Sequence, residues 1–353
     1  MKVLFVGPYR QNDGWGVASR KYLECFLDGE HDIQAQPVKL GHNINQDFNS
    51  EKILKAEHNQ IDPDIIIHYM PPVFIKPVEG KKNVCFFHYE TQHPCPEYML
   101  ALEKVDHIFV STENEFLGLL PTDKKVSVIQ FPVESKDYEG IERTREDDAY
   151  VFYFIGEMNT RKNIHGLLLA YLTEFSKKDN VKLIIKSNVA RQDFHTYYMH
   201  IEQTLRKREG YPEVIYIEGH LSDEDLLSLH KNSDCFVALS LGESICLPLI
   251  DALMIGNKAI VTGNTGMGDL SWAFPKHLYQ IPSGWTPCFC PRPPMPFIYT
   301  SEECWGNPMV SSAMTKMRDL FEERTRLPQE IFSNKQSTLK EFDRIINEIG
   351  NIV

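Results

Sequence analysis

Long apolar runs are missing from this chain. Nowhere do about 18 apolar residues follow one another, the length a helix needs to cross a bilayer. The opening Met1-Lys-Val-Leu-Phe-Val-Gly7 is too short for a signal-peptide core. A cytoplasmic protein is expected, with peripheral attachment to a membrane left open. An excess of positive charge is missing too. Lys and Arg number 37 against 49 Asp and Glu, a formal net charge of −12. That disfavours nucleic acid and anionic membranes as partners, although a local basic cleft needs only a few cations. Zinc-ligand spacing is also absent. Of the eight cysteines, Cys288 and Cys290 have one residue between them, and Cys95 stands beside His93 in a Pro-rich turn. Cys25, Cys85, Cys235 and Cys246 sit within apolar runs, where a reduced thiol packs as a small hydrophobe. No metal is expected.

What is present is an ordinary globular composition, 42% hydrophobic and 24% charged. At 353 residues the chain exceeds what one hydrophobic core usually holds, so two domains are expected. Short apolar runs alternate with helical periodicity. Strands are predicted over Lys2–Gly7, Asp64–Tyr69, Asn83–His88, His107–Ser111 and Val126–Gln130, with a helix over Val17–Leu27. Ser135–Asp148 is charged and poor in apolar residues, and reads as a linker. The pattern then restarts, with strands at Tyr150–Gly156, Val181–Lys186, Glu213–Ile217, Asp234–Leu239 and Lys258–Thr262, and a helix over Asn163–Phe175. This is the signature of parallel sheets with crossover helices. The fold class is α/β, with domains over 1–140 and 149–333 and a C-terminal helix within 334–353. Pro282–Pro296 holds six prolines and reads as an ordered surface loop. Gln336–Ile349 is amphipathic, with Leu339, Phe342, Ile345, Ile346 and Ile349 on one side.

In open α/β sheets, ligands bind beyond the carboxyl ends of the strands. Four segments follow strands and carry suitable chemistry. In Leu239-Ser-Leu-Gly-Glu-Ser-Ile-Cys-Leu-Pro-Leu-Ile-Asp251, Pro248 suits a first helical turn, which puts Glu243 in the preceding loop and Asp251 in that turn. The free N–H groups there suit a diphosphate, and a carboxylate can accept from a vicinal diol. The plainer reading is a helix-favouring Asp251 and a solvated Glu243. In Gly156-Glu-Met-Asn-Thr-Arg-Lys-Asn163, Arg161 and Lys162 precede a helix, as a phosphate clamp or a solvated turn. Gly14 and Gly16 follow the first strand, but Ser19 breaks the dinucleotide fingerprint, and a simple turn accounts for them equally. His88 ends an apolar strand; its position allows a group aimed into a cleft or a capped core residue.

Together these segments resemble the retaining glycosyltransferases called group 1 or family 4, with the GT-B fold. The family's Glu-x7-Glu motif is matched by Glu243-Ser-Ile-Cys-Leu-Pro-Leu-Ile-Asp251. Thr262-Gly-Asn-Thr-Gly-Met-Gly-Asp269 is similar to its Gly-x-x-Glu segment, Gly156–Asn163 to its phosphate loop, and Gly219–Leu226 to a loop near the base. Trp305-Gly-Asn-Pro308, ahead of Met317-Arg318, looks like a late helix of many members. The departures are Asp251 for the second Glu, Ser244 and Cys246 for the motif glycines, and Glu157 where many relatives carry Arg.

The resemblance implies two Rossmann-like parallel-sheet domains facing across a cleft. The donor is then a nucleotide-sugar, UDP- or GDP-linked, which is a substrate and not a cofactor. Asp251 would bind the ribose diol, and Glu243 the hydroxyls of the transferred sugar. Ser244, Ile245, Cys246 and Leu247 would line the donor. Arg161 and Lys162 would neutralise the leaving diphosphate in place of a metal. His88, with Gly14 and Gly16, would face the donor sugar and acceptor. The acceptor, whether glycan, lipid-linked sugar, small molecule or macromolecule, is unspecified. A nucleotide-sugar 2-epimerase and a non-catalytic GT-B sugar- or partner-binding protein are the alternatives.

Overall fold

The computed structural model describes residues 1–40, 48–206, 210–329 and 331–351. Two compact units emerge. The first combines Met1–Glu134, Pro294–Glu303 and Ser333–Val353; the second combines Ser135–Pro293 and Cys304–Phe332.

The first unit is built on strands β1 (Lys2–Gly7), β2 (Asp32–Pro37), β3 (Ile65–Tyr69), β4 (Lys82–Phe86), β5 (His107–Val110) and β6 (Lys125–Val128). They form one parallel sheet in the order β2-β1-β3-β4-β5-β6 among the described residues. β3 reads Ile-Ile-Ile-His-Tyr and is buried at all five positions, as a strand covered on both faces must be. β2 escapes a periodicity reading because Asp-Ile-Gln-Ala-Gln-Pro places few apolar side chains at this sheet edge. The closing helix, Lys335–Gly350, belongs to this unit. Its Phe342 ring stacks on Phe26 of the Gly14–Phe26 helix, with centroids 3.7 Å apart and planes at 6°. Asn334 fixes the approach, accepting from the Val133 amide at 2.8 Å and donating to the Phe131 carbonyl at 3.0 Å.

The second unit contains β7 (Tyr150–Ile155), β8 (Val181–Ser187), β9 (Glu213–Glu218), β10 (Cys235–Ala238), β11 (Lys258–Thr262) and β12 (Leu278–Ile281). Their order is β12-β11-β10-β7-β8-β9, all parallel. Side chains alternate between the faces of β7. Phe152 and Phe154 enter a core with Leu167, Leu168, Phe194 and Met317, while the Tyr153 hydroxyl meets His230 on the opposite face at 2.7 Å. The strand order reverses between β7 and β10, and that switch point is where such sheets open a ligand crevice.

Three sequence readings change here. Ser135–Asp148 is no free linker. Arg143 and Arg145 pair with buried Asp234 at 3.0 and 2.8 Å, and the Asn232 side chain accepts from the Thr144 and Arg145 amides. Part of the Pro-rich segment is a strand: β13 (Ser283–Pro287) pairs antiparallel with β14 (Cys304–Pro308) in a two-stranded ribbon, where missing proline donors cost little. Trp305 therefore lies in a strand, and the late helix starts at Val310. Among the described residues, no helix is long and apolar enough to cross a membrane.

Phe342→Ala would leave a cavity beside Phe26, since both rings are fully buried. A loss of about 3–5 kcal/mol from the first unit is expected in urea unfolding. A loss below about 1 kcal/mol would mean that the stack contributes little.

Candidate active site

The site is assembled where β7 and β10 end. After β7 the chain turns through Asn163, whose backbone is left-handed (φ 49°, ψ 45°), a conformation that Asn tolerates better than most residues. Its side chain accepts from the Gly166 amide at 3.0 Å, capping the Ile164–Glu174 helix, and donates to the Leu239 carbonyl at 2.9 Å. One residue thus ties the loop after β7 to the end of β10. The Leu241 amide donates to the Arg161 carbonyl at 2.7 Å, closing the same junction through the backbone.

Within that frame the carboxylate of Glu243 receives two cations. Lys162 Nζ lies 2.5 Å from Oε1 and Arg161 Nη1 lies 3.1 Å from Oε2, while the same Arg161 nitrogen donates to the Gly242 carbonyl at 2.7 Å. Glu243 is 4% exposed. Burial alone would raise its pKa, but the charges of Lys162 and Arg161 and the Lys162 hydrogen bond overcome this and hold it below the ordinary carboxylate range. The expectation of a solvent-facing Glu243 is corrected: desolvation is tolerated because both oxygens are paired. Gly266 backs the loop, donating its amide to the Glu243 carbonyl at 2.9 Å. A Cβ there would stand 2.3 Å from the Ser244 carbonyl oxygen.

Ser244, Ile245 and Cys246 lead into the Leu247–Ile255 helix, which carries Pro at its start, no acidic residue in its first turn and no side-chain cap. Cys246 is buried, and burial followed by the Glu243 charge pushes its thiol pKa up to about 12. It is a packing thiol. Asp251 is the fifth residue of this helix, one turn later than expected. Its Oδ1 accepts from the Tyr138 hydroxyl at 2.7 Å, and its side chain stays 35% exposed. His230 lies 4.0 Å from Oδ2, but burial lowers its pKa to about 3 and leaves it neutral. The two motif acids therefore differ: Glu243 is buried in an ion triad, and Asp251 is partly exposed.

In the first unit, Gly14 and Gly16 are inside the first turn of the Gly14–Phe26 helix and not in a loop. Asp13 caps that helix through the Gly16 amide at 2.9 Å. A Cβ on Gly16 would meet the Gln11 carbonyl at 2.2 Å, whereas one on Gly14 would enter open space. His88 joins a network. Its Nε2 lies 2.5 Å from the Tyr69 hydroxyl and its Nδ1 lies 3.3 Å from Ser111 Oγ and 3.5 Å from Glu115 Oε1. Glu115 is fully buried and accepts from the amides of Tyr89, Ser111 and Thr112. The Trp15 ring packs edgewise on His88 at 5.2 Å. Sequence reading missed Tyr138, Tyr69 and Glu115. For Glu115 a signal existed, the Thr112-x-x-Glu115 capping box. None of the eight cysteines forms a disulfide, and among the described residues no cluster of three or more His, Cys, Asp or Glu is placed to hold a metal ion.

A family model described as "Glycosyl transferases group 1" matches residues 139–270, the stretch that holds Arg161, Lys162, Glu243 and Asp251. Over that stretch the chain resembles group 1 glycosyltransferases, and its fold is the GT-B fold. It is similar to O-antigen chain mannosyltransferase B of Escherichia coli, 26% identical over 231 residues, 57% of this chain. The chain spans 58% of the length of that curated relative. Two solved structures share its fold over nearly the whole length. Sucrose-phosphate synthase from Thermosynechococcus elongatus superposes with a TM-score of 0.62 at 11% identity over 99% of both chains. Anabaena HepE, solved with UDP and glucose, gives 0.60 at 13% over 100% of both.

The ion triad has a pH signature in this group 1 domain. Because the folded-state pKa of Glu243 is depressed, its stabilisation is full above the unfolded carboxylate value of about 4.3 and is lost as pH falls through the folded value. Glu243→Gln should cost about 3–5 kcal/mol near pH 7 by leaving two cations unpaired. The penalty should hold above about pH 4.3 and shrink as pH falls below it, read by urea unfolding at each pH. A penalty independent of pH would show that Glu243 carries no charge in the folded chain.

Proposed function

We propose that this chain transfers a hexose-type sugar from a nucleoside-diphosphate sugar to an acceptor hydroxyl, with retention of configuration and without a metal ion. The observation that carries this reading is the charge at the switch point. Arg161 and Lys162 bring two positive charges to one buried Glu243, so the triad keeps a net positive charge in an otherwise acidic chain. Beside it begins a helix with no acidic residue or side-chain cap at its start. Both features favour a diphosphate.

In this reading Arg161 and Lys162 hold the diphosphate, with the backbone of Ser244, Ile245, Cys246 and Leu247 alongside. Asp251 accepts the ribose diol on its exposed oxygens, while Tyr138 orients the carboxylate. Glu243, buried with both oxygens paired, positions both cations. The acceptor oxygen bonds to the anomeric carbon on the face from which the phosphate departs. The bond from that carbon to the phosphate oxygen breaks, and the hydroxyl proton passes to that oxygen. Arg161 and Lys162 offset its growing charge, the task a metal performs elsewhere. His88 serves the acceptor side of the first unit, held by Tyr69 and Glu115, with Gly14 and Gly16 in the adjacent helix turn. The donor is a UDP- or GDP-sugar; the structure of Anabaena HepE, which contains UDP and glucose, supports this class by likeness of fold.

A thermal-shift comparison of UDP, GDP, ADP and their sugar conjugates tests the reading. A ligand at about 100 times its dissociation constant adds about 2.7 kcal/mol of stability. One nucleotide family should raise the melting temperature of the wild type and not of Asp251→Ala. Lys162→Ala should lower turnover about tenfold or more while the protein stays folded. Full turnover in Lys162→Ala, or no shift with any nucleotide, would contradict the assignment.

A further inference from the structure

The Pro-rich segment has no part in the transfer chemistry, yet it forms one wall of a cavity of about 630 Å³ in the second unit. That volume lies within the range of about 300–1,000 Å³ typical of small-molecule sites. Its apolar lining comes from Met158, Ile164, Val189, Tyr197 and Leu241, closed on one side by Pro291. Asn159, Thr160, Asn163, His165, Asp193 and Arg292 add polar and charged groups, and Asn159 and Thr160 directly precede Arg161 and Lys162. The cavity is therefore continuous in sequence with the loop that carries the cations.

The cavity stands apart from Asp251 in the topology of the sheet. Ile164 and the Arg191–Leu205 helix pack on the Phe152 and Phe154 face of the sheet. Asp251 lies beside His230, which meets the Tyr153 hydroxyl on the other face. Asp251 and the cavity thus lie on opposite faces of the sheet. The surroundings of the Pro-rich wall are apolar as well: Trp285 is 46% exposed and Phe289 is 70% exposed on the same segment. Six prolines make the wall stiff, so a ligand would meet a surface that loses little freedom on binding. Met158 supplies a side chain that adapts to an irregular aliphatic outline.

We propose that this cavity holds the apolar aglycone of the acceptor, an alkyl or isoprenoid chain, with the hydroxyl-bearing end at the Asn159–Lys162 loop. The inference rests on the transferase reading for the word acceptor; the pocket and its preference for an alkyl chain are tested independently of turnover. Isothermal titration with n-octyl β-D-glucopyranoside, below the concentration at which it forms micelles, should give saturable binding to the wild type, and glucose should give none. Val189→Trp fills the cavity and should weaken octyl glucoside tenfold or more, while stabilisation by UDP or GDP stays unchanged. Tyr197→Ala, which removes part of the lining instead, should weaken it about tenfold. No binding of octyl glucoside, or equal binding to the wild type and both variants, would overturn the proposal. Loss of nucleotide stabilisation in Val189→Trp would also overturn it, by assigning the cavity to the donor. If octyl glucoside binds as expected but no nucleotide stabilises the wild type, the transferase reading fails and the alkyl pocket stands.

Discussion

The ion triad of Glu243, Lys162 and Arg161 is the constraint around which the second unit's site is arranged. A buried carboxylate with one oxygen 2.5 Å from Lys162 and the other 3.1 Å from Arg161 cannot shift without leaving charge unpaired. It fixes the loop after β10 against the loop after β7. The backbone repeats the same tie, through the Leu241 amide on the Arg161 carbonyl and the Asn163 side chain on the Leu239 carbonyl. Two independent sets of bonds thus hold the switch point of the sheet in one geometry before any ligand arrives. Preorganised charge of this kind is what stabilises a developing anion without reorganisation during the reaction.

The triad also reconciles global and local electrostatics. A chain with formal charge −12 would repel a diphosphate at long range. At the switch point two cations share one anion, so the local field is positive. Holding those cations on Glu243 avoids exposing two bare charges side by side. Asp251 differs in kind. It is partly exposed and accepts from the Tyr138 hydroxyl, and Tyr138 comes from the segment that the sequence suggested was only a linker.

Much of the architecture was legible because fully buried parallel strands announce themselves. Runs such as Tyr150–Ile155 and Ile65–Tyr69 contain little but large apolar residues, and each is buried throughout. β2 was illegible because a sheet-edge strand such as Asp-Ile-Gln-Ala-Gln-Pro needs few apolar positions. The motif acids were legible by spacing, but their burial was not. Nothing in the sequence says that Glu243, 81 positions from Lys162, would be desolvated against it. Likewise Tyr138 meets Asp251 across 113 positions. Side chains brought together by folding leave no periodic trace, whereas the Thr112–Glu115 capping box, three residues long in reach, does. Gly14 and Gly16 misled for a local reason: Asp13 caps the helix early and draws both glycines into its first turn.

The most direct test of the diphosphate cradle compares a nucleoside with its own diphosphate on one protein. Isothermal titration of uridine and UDP, or guanosine and GDP, would be run on the wild type and on an Arg161→Met, Lys162→Met, Glu243→Gln triple variant, which leaves no buried charge unpaired. The account predicts that the wild type prefers the diphosphate by about 100-fold or more, as two charge-assisted contacts of about 1.5–3 kcal/mol each imply. In the triple variant that preference should vanish while nucleoside affinity is kept. An unchanged preference for the diphosphate would place the phosphates elsewhere and contradict the role given to the triad.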